Sequence, residues 1–126
     1  MPSIRRPLAD TSLRFAIPEE ARQLSESDLL ARSGRSARTL VKDGALRVTM
    51  VALGRDGHLA AHQSPGPITI QAVAGRIAVS AGTDRWELEP GALLFLGAGI
   101  EHEVASDTGG AFLLTVAASS PESDDP

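Results

Sequence analysis

Gly57-His58-Leu59-Ala60-Ala61-His62-Gln63-Ser64-Pro65-Gly66-Pro67, running on to Gly75, and Pro90-Gly91-Ala92-Leu93-Leu94-Phe95-Leu96-Gly97-Ala98-Gly99-Ile100-Glu101-His102 are the stretches whose reading decides the fold. In both, short apolar or alternating runs are bracketed by Gly and Pro, the pattern of strands between turns. A strand hairpin separates the two, and each contributes a histidine, His62 and His102. Two strand segments that each bring a histidine to a turn are a way for a small β-barrel to build a site in its mouth. The other polar ligands that such a site would need are mostly replaced.

The same punctuation continues on either side. Leu46–Leu53 predicts a strand, followed by a turn at Gly54-Arg55-Asp56-Gly57. Further strands are expected at 59–63, 68–73, 76–80, 86–89, 93–96, 101–105 and 112–118, with a hairpin turn at Ala81-Gly82-Thr83-Asp84. Short strands at this even spacing argue for an all-β sandwich or barrel. Upstream, the prolines at 2, 7 and 18 suggest an extended arm over residues 1–25, with Leu13–Ile17 alternating enough for one edge strand. Ser25 or Ser27 offers an N-cap for a helix or helix-turn over residues 26–41, with Leu29, Leu30 and Leu40 as its buried positions and Gly34 interrupting it. The domain division that follows is an N-terminal arm and helical segment packing on the barrel (1–43), the barrel (44–118) and a polar, acidic tail expected to be disordered (119–126).

A chain of 126 residues can bury one core without staples. With no cysteine, it has no disulfide, thiolate metal site or cysteine nucleophile. The N-terminus carries Arg5 and Arg6 without an apolar segment behind them, unlike a secretory signal, and no apolar run reaches the length of a bilayer span. Those features predict a cytoplasmic protein with no membrane partner. Residues 1–45 hold 8 basic against 6 acidic side chains, net +2, and residues 46–126 hold 4 against 10, net −6. An acidic main domain with three Phe, one Trp and no Tyr makes a poor nucleic-acid surface. Arg32, Arg35, Arg38 and Lys42 are spaced so that a helix would gather them on one solvated face, a phosphate patch being the lesser reading.

Residues 44–118 resemble the cupins, the double-stranded β-helix or jelly-roll proteins. In the first cupin motif, Gly57 takes the opening Gly place, with four residues rather than five before His62, which takes the first His place. Ser64 then stands in the second His place, Ile68 in the Glu place and Gly75 in the final Gly place. In the second motif, Gly91 opens, Gly97 stands in the Pro place, Gly99 matches, His102 is the His and Ser106 replaces the Asn. The segment that includes "HQSPGPITIQ" is similar to small single-domain bacterial cupins whose first motif is altered in the same way. What the resemblance implies is a cupin barrel with an N-terminal arm and short helix, and a homodimer formed through an outer sheet, across which the arm could swap.

The family's metal site takes three His and one carboxylate to hold Fe, Mn, Ni or Zn. Here only His62 and His102 remain as metal ligands, since Ser64 is a weak neutral donor and Ile68 cannot ligate. Two imidazoles and water can hold a divalent ion, but less tightly than a full set; hydrogen bonding of both histidines to backbone or water is the plainer reading. Strand alternation puts Glu101 and Glu103 opposite to His102, Gln71 on the outer face, and His58 on the same side as His62. Ser64 with His62 or His102 could imitate a nucleophile and base, but no carboxylate is placed to orient the pair, so no catalytic residue is assigned. Trp86 reads as core or interface packing, and Gly97-Ala98-Gly99 as a turn. Replacing Glu and His by Ile68 and Ser64 makes the mouth more apolar, which suits a small organic ligand bounded by His62, Ser64, Ile68 and His102. The readings carried forward are a small-molecule-binding cupin, a metal-dependent enzyme of dioxygenase or isomerase type, and an accessory or structural dimeric protein.

Overall fold

In the computed structural model, which describes residues 6–118, nine strands form two antiparallel sheets. The strands are β1 Arg35–Asp43, β2 Leu46–Leu53, β3 Gly57–His62, β4 Ile68–Gly75, β5 Ile77–Ala81, β6 Asp84–Leu88, β7 Leu93–Leu96, β8 His102–Ser106 and β9 Gly110–Ala117. A five-stranded sheet runs β1-β2-β9-β4-β7 and a four-stranded sheet runs β3-β8-β5-β6. The chain crosses between the sheets repeatedly, as a jelly roll does, and alternate residues of both sheets face each other. Val51, Leu53, Ile68, Ile70, Ile77, Val79, Val104 and Phe112 fill that interior. Phe112, 1 % exposed at its centre, contributes about 2–3 kcal/mol by burial.

A second, smaller core lies on the outer face of the five-stranded sheet. The helix α1, Ile17–Ser25, lays Ala21 and Leu24 over Leu40, Met50, Ala52 and Ala111. Pro18 in its first turn needs no N–H partner, and Glu19 and Glu20 sit at the positive end of the helix dipole. Residues 13–17 therefore do not form the edge strand that their alternation predicts: the helix-start chemistry of Pro18-Glu19-Glu20 takes Ile17 into α1, where it packs against the second core.

The helix expected over 26–41 is also corrected. Only α2, Asp28–Ser33, is helical, with the Leu30 N–H donating to the Ser27 hydroxyl at 3.2 Å, and it stops at Gly34. From Arg35 the chain pairs with β2 residue by residue, Arg35 with Leu53 through Asp43 with Leu46, with a bulge between Thr39 and Val41. Pairing along a whole strand outweighs the weak helical spacing of the arginines, and Arg32, Arg35, Arg38 and Lys42 share no helical face. Leu40 is buried as expected, though from a strand; Leu29 is 51 % exposed. The 43/44 boundary falls inside the β1–β2 hairpin. Within the arm, the Leu8 carbonyl accepts from the Lys42 N–H of the same chain at 2.8 Å. The tail at 119–126 lies outside the described residues. No helix among the described residues is long and apolar enough to cross a membrane.

Candidate functional site

His62 closes β3 and His102 opens β8, and the two are directly paired across the strands. Their ring centroids stand 4.4 Å apart, with the planes tilted by 55°. Each Nδ1 lies within hydrogen-bond distance of the carbonyl two residues earlier: His62 of Ala60 at 3.1 Å, His102 of Ile100 at 3.0 Å. A carbonyl oxygen only accepts, so each Nδ1 carries the proton, and in the neutral ring the Nε2 lone pair is left free. His102 is 3 % exposed, whereas His62 is exposed and forms the outer lip.

Ser64 follows in the β3–β4 connection. Its carbonyl accepts from the Gly99 N–H at 2.8 Å, tying this loop to the one before His102. Its hydroxyl Oγ is buried and has no hydrogen-bond partner, the one such side-chain atom among the described residues. Ile68, 3 % exposed, begins β4 on the inward face. His62, Ser64, Ile68 and His102 all line one cavity of about 820 Å³.

Among the lining residues not expected from the sequence, two are cationic. Lys42 and Arg47 stand opposite each other on β1 and β2 and both border the cavity. Arg47 was within reach, because it shares parity with the inward Val51 and Leu53; Lys42 was hidden by the assignment of its segment to a helix. His58 corrects another expectation. β3 uses three residue steps between Leu59 and His62 where β8 uses two between Val104 and His102, and that bulge reverses the alternation. Leu59 and His62 therefore face inward, and His58, paired with Ala105, faces solvent. Glu101 and Glu103 border a different cavity, of about 670 Å³, together with Asp84 and Trp86. Trp86 is half-buried and packs against the barrel core, and Gln71 lies beside Leu93 on the outer face.

This architecture has close counterparts. The chain superposes on a cupin superfamily protein from Desulfitobacterium hafniense with a TM-score of 0.66 at 12 % identity, over 68 % of this chain and 79 % of that one. An RmlC-like cupin from Shewanella frigidimarina gives 0.65 at 17 %, over 71 % and 80 %. The fold is that of the cupins. A protein of unknown function from Streptococcus pyogenes gives 0.65 at 22 %, over 75 % and 87 %. No family model matches the sequence, and no curated protein does.

Cupins can carry a metal in the barrel mouth. Among the described residues, no group of three or more His, Cys, Asp or Glu side chains gathers. The mouth offers two Nε2 atoms and a neutral hydroxyl, with Ile68 where a carboxylate would stand and two cations on the facing wall. That set lacks the anionic donor that would offset a divalent ion's charge, and the cations oppose it. The residues present do not fit a tightly held resident metal.

Proposed function

We propose that this chain is a small-molecule-binding protein on the cupin fold, its ligand seated in the barrel mouth between His62, Ser64, Ile68 and His102. The observation that carries the reading is the buried, unpartnered hydroxyl of Ser64, a residue that lines the same cavity as Ile68 and as two imidazoles whose Nδ1 atoms are tethered to backbone carbonyls. A buried hydroxyl left unpaired is costly, and a ligand that supplies its hydrogen bond recovers that cost. Amide chemical-shift mapping with a panel of small organic molecules tests it. Saturable shifts at His62, Ser64, Ile68 and His102 are expected; shifts scattered over the surface, or none from a broad panel, overturn the proposal.

A second reading is a metal-dependent enzyme of dioxygenase or isomerase type, with Fe, Mn, Ni or Zn on His62 and His102. It draws support from the tethered Nδ1 atoms, which aim the rings as hydrogen bonds behind histidine ligands do in metal sites. Elemental analysis of protein purified without chelator separates the two readings. Near-stoichiometric metal in wild type, lost in both His62→Ala and His102→Ala, favours the enzyme; no metal after incubation with all four ions removes it.

The partner we propose besides the ligand is a second copy of this chain. Leu93 and Phe95, 62 % and 64 % exposed, project from β7, which is an edge of the five-stranded sheet. Apolar side chains on an unpaired edge favour association. Sedimentation should give a dimer that Phe95→Lys converts to monomer, and a monomeric wild type would refute it. The accessory-subunit reading would keep this contact without any ligand in the mouth. Cytoplasmic residence belongs to the same proposal, and a tagged chain in cell fractionation tests it.

A further inference from the structure

We propose that the ligand is a small apolar carboxylic acid, its carboxylate held by Lys42 and Arg47 and its body lying along Val116 and Ile68. This inference rests on the small-molecule reading above and names the chemistry of that ligand. It begins with one row of the five-stranded sheet. Following the register across the inward face, Lys42 pairs with Arg47, Arg47 with Val116, Val116 with Ile68, and Ile68 with Leu96. Two cations thus lead directly into three apolar side chains, on one row, at the cavity mouth.

Placing Lys42 and Arg47 opposite each other is unfavourable for an isolated sheet, since like charges on a directly paired position repel. Nearby acids do not relieve it. Among the described residues, no Asp or Glu lines the cavity and neither cation forms an ion pair. Asp43, next along β1, pairs with Leu46 and so belongs to the opposite face. Of the other cations, Arg6 and Arg38 share Glu20, Arg76 takes Glu89 and Arg85 takes Glu87, while Arg14, Arg32, Arg35 and Arg55 form no ion pair among the described residues. What sets Lys42 and Arg47 apart is that they stand directly opposite each other across two strands. An anion between Lys42 and Arg47 is the missing complement, and Arg47 can meet a carboxylate with two parallel N–H donors.

The opposite wall fits the rest of such a molecule. Ile68 stands two strand spacings from Arg47, about 10 Å, the reach of a medium-chain acid. Ser64, with its unpartnered hydroxyl, and His62 and His102 line the same cavity and suit a single further polar group on the ligand. Ala118 lines the cavity, and the sequence continues from it into a tail that carries Glu122, Asp124 and Asp125.

Calorimetric titration of the full-length chain with octanoate and with its neutral analogue octanamide tests the inference. Octanoate is expected to bind about tenfold or more tightly than octanamide at low salt. The Lys42→Gln/Arg47→Gln variant should bring octanoate to the level of the amide, with no fall in Tm, because both side chains are exposed and their repulsion is removed. Equal binding of the two probes to wild type overturns the carboxylate assignment and leaves the small-molecule reading standing. No binding of either probe, in wild type or in a Glu122→Gln/Asp124→Asn/Asp125→Asn variant, overturns both for ligands of this size. Octanoate binding gained only in that tail variant overturns the inference by giving the cationic pair to the chain's own acidic tail.

Discussion

Ser106 and Ser64 lie toward opposite ends of the same barrel and are treated in opposite ways. The Ser106 hydroxyl donates to the Arg76 carbonyl at 2.8 Å and accepts from the Gly109 N–H at 3.0 Å, so every polar group around it is used. The Ser64 hydroxyl is equally shut off from water and uses none of its capacity. Cations follow the same division. Around Glu20, in the layer between α1 and the sheet, Arg6 and Arg38 bond the carboxylate from both sides, whereas Lys42 and Arg47 at the mouth face each other without an acid. The Ser106 hydroxyl and the Glu20 carboxylate are satisfied as they stand. The mouth is a set of unfilled valences, and an incomplete region in an otherwise satisfied molecule is where a ligand belongs.

The sharpest way to break this contrast is at the far end, where Gly75 closes β4. Its φ of +67° disfavours any side chain, and a Cβ there would overlap the Gly109 carbonyl oxygen and come within 2.8 Å of Gly110 Cα. Both obstacles are backbone and cannot swing aside. Gly75→Ala should cost more than about 3 kcal/mol, or prevent folding. Gly91→Ala is the control: φ is +98° but nothing lies within 4 Å, so only conformational strain of about 1–2 kcal/mol is paid. Urea unfolding of the two variants measures the difference, and equal losses would mean that the far end is no more tightly specified than an open turn.

Ser106→Ala comes next. It strands the Gly109 N–H and the Arg76 carbonyl together and should cost about 2 kcal/mol in the same assay. The Glu20 triad follows at about 1–2 kcal/mol for Glu20→Gln, less than for a fully buried pair because Arg6 and Arg38 are partly exposed and can be rehydrated. The Arg6 guanidinium, helped by Arg38, holds the Glu20 carboxyl below its ordinary 4.5 although burial pushes it up. A lowered native pKa stabilises the fold above the unfolded value, and that contribution drains away as pH falls through the native one. Wild type should therefore lose stability below about pH 4.5 more steeply than Glu20→Gln does, and parallel pH–stability curves would show that the triad is not what holds α1 down.

Much of the barrel was legible because its strands are punctuated. Leu46–Leu53 and Leu93–Leu96 stand in the structure with the bounds that alternation and the flanking Gly and Pro residues predict. β1 has no such punctuation inside it, its bulge spoils its alternation, and its basic residues mimic a helical spacing. That single misreading concealed half of the cationic pair, since Lys42 acquires its meaning only from pairing with Arg47. His58 was misplaced for a related reason: the β3 bulge is a property of pairing with β8, not of the residues within β3. The residues of the mouth that could be found were those with unusual chemistry in a recognisable frame, His62, Ser64, Ile68 and His102. The charged wall needed the tertiary register.

The smallest expected effect is the most informative. Ser64→Ala removes a buried hydroxyl that bonds to nothing, so the usual penalty for losing a buried polar side chain has no counterpart here. Its stability should be unchanged or raised by up to about 1 kcal/mol, the reverse of Ser106→Ala on the same residue type in the same barrel. The position sits on the mouth, so the same variant should bind mouth ligands that carry a polar group more weakly while folding as well or better, the trade expected where a site keeps an unsatisfied group for a partner. A loss of about 2 kcal/mol, matching Ser106→Ala, would mean that the Ser64 hydroxyl is already satisfied by ordered water as part of the fold. The contrast between the two ends of the barrel would then rest on Lys42 and Arg47 alone.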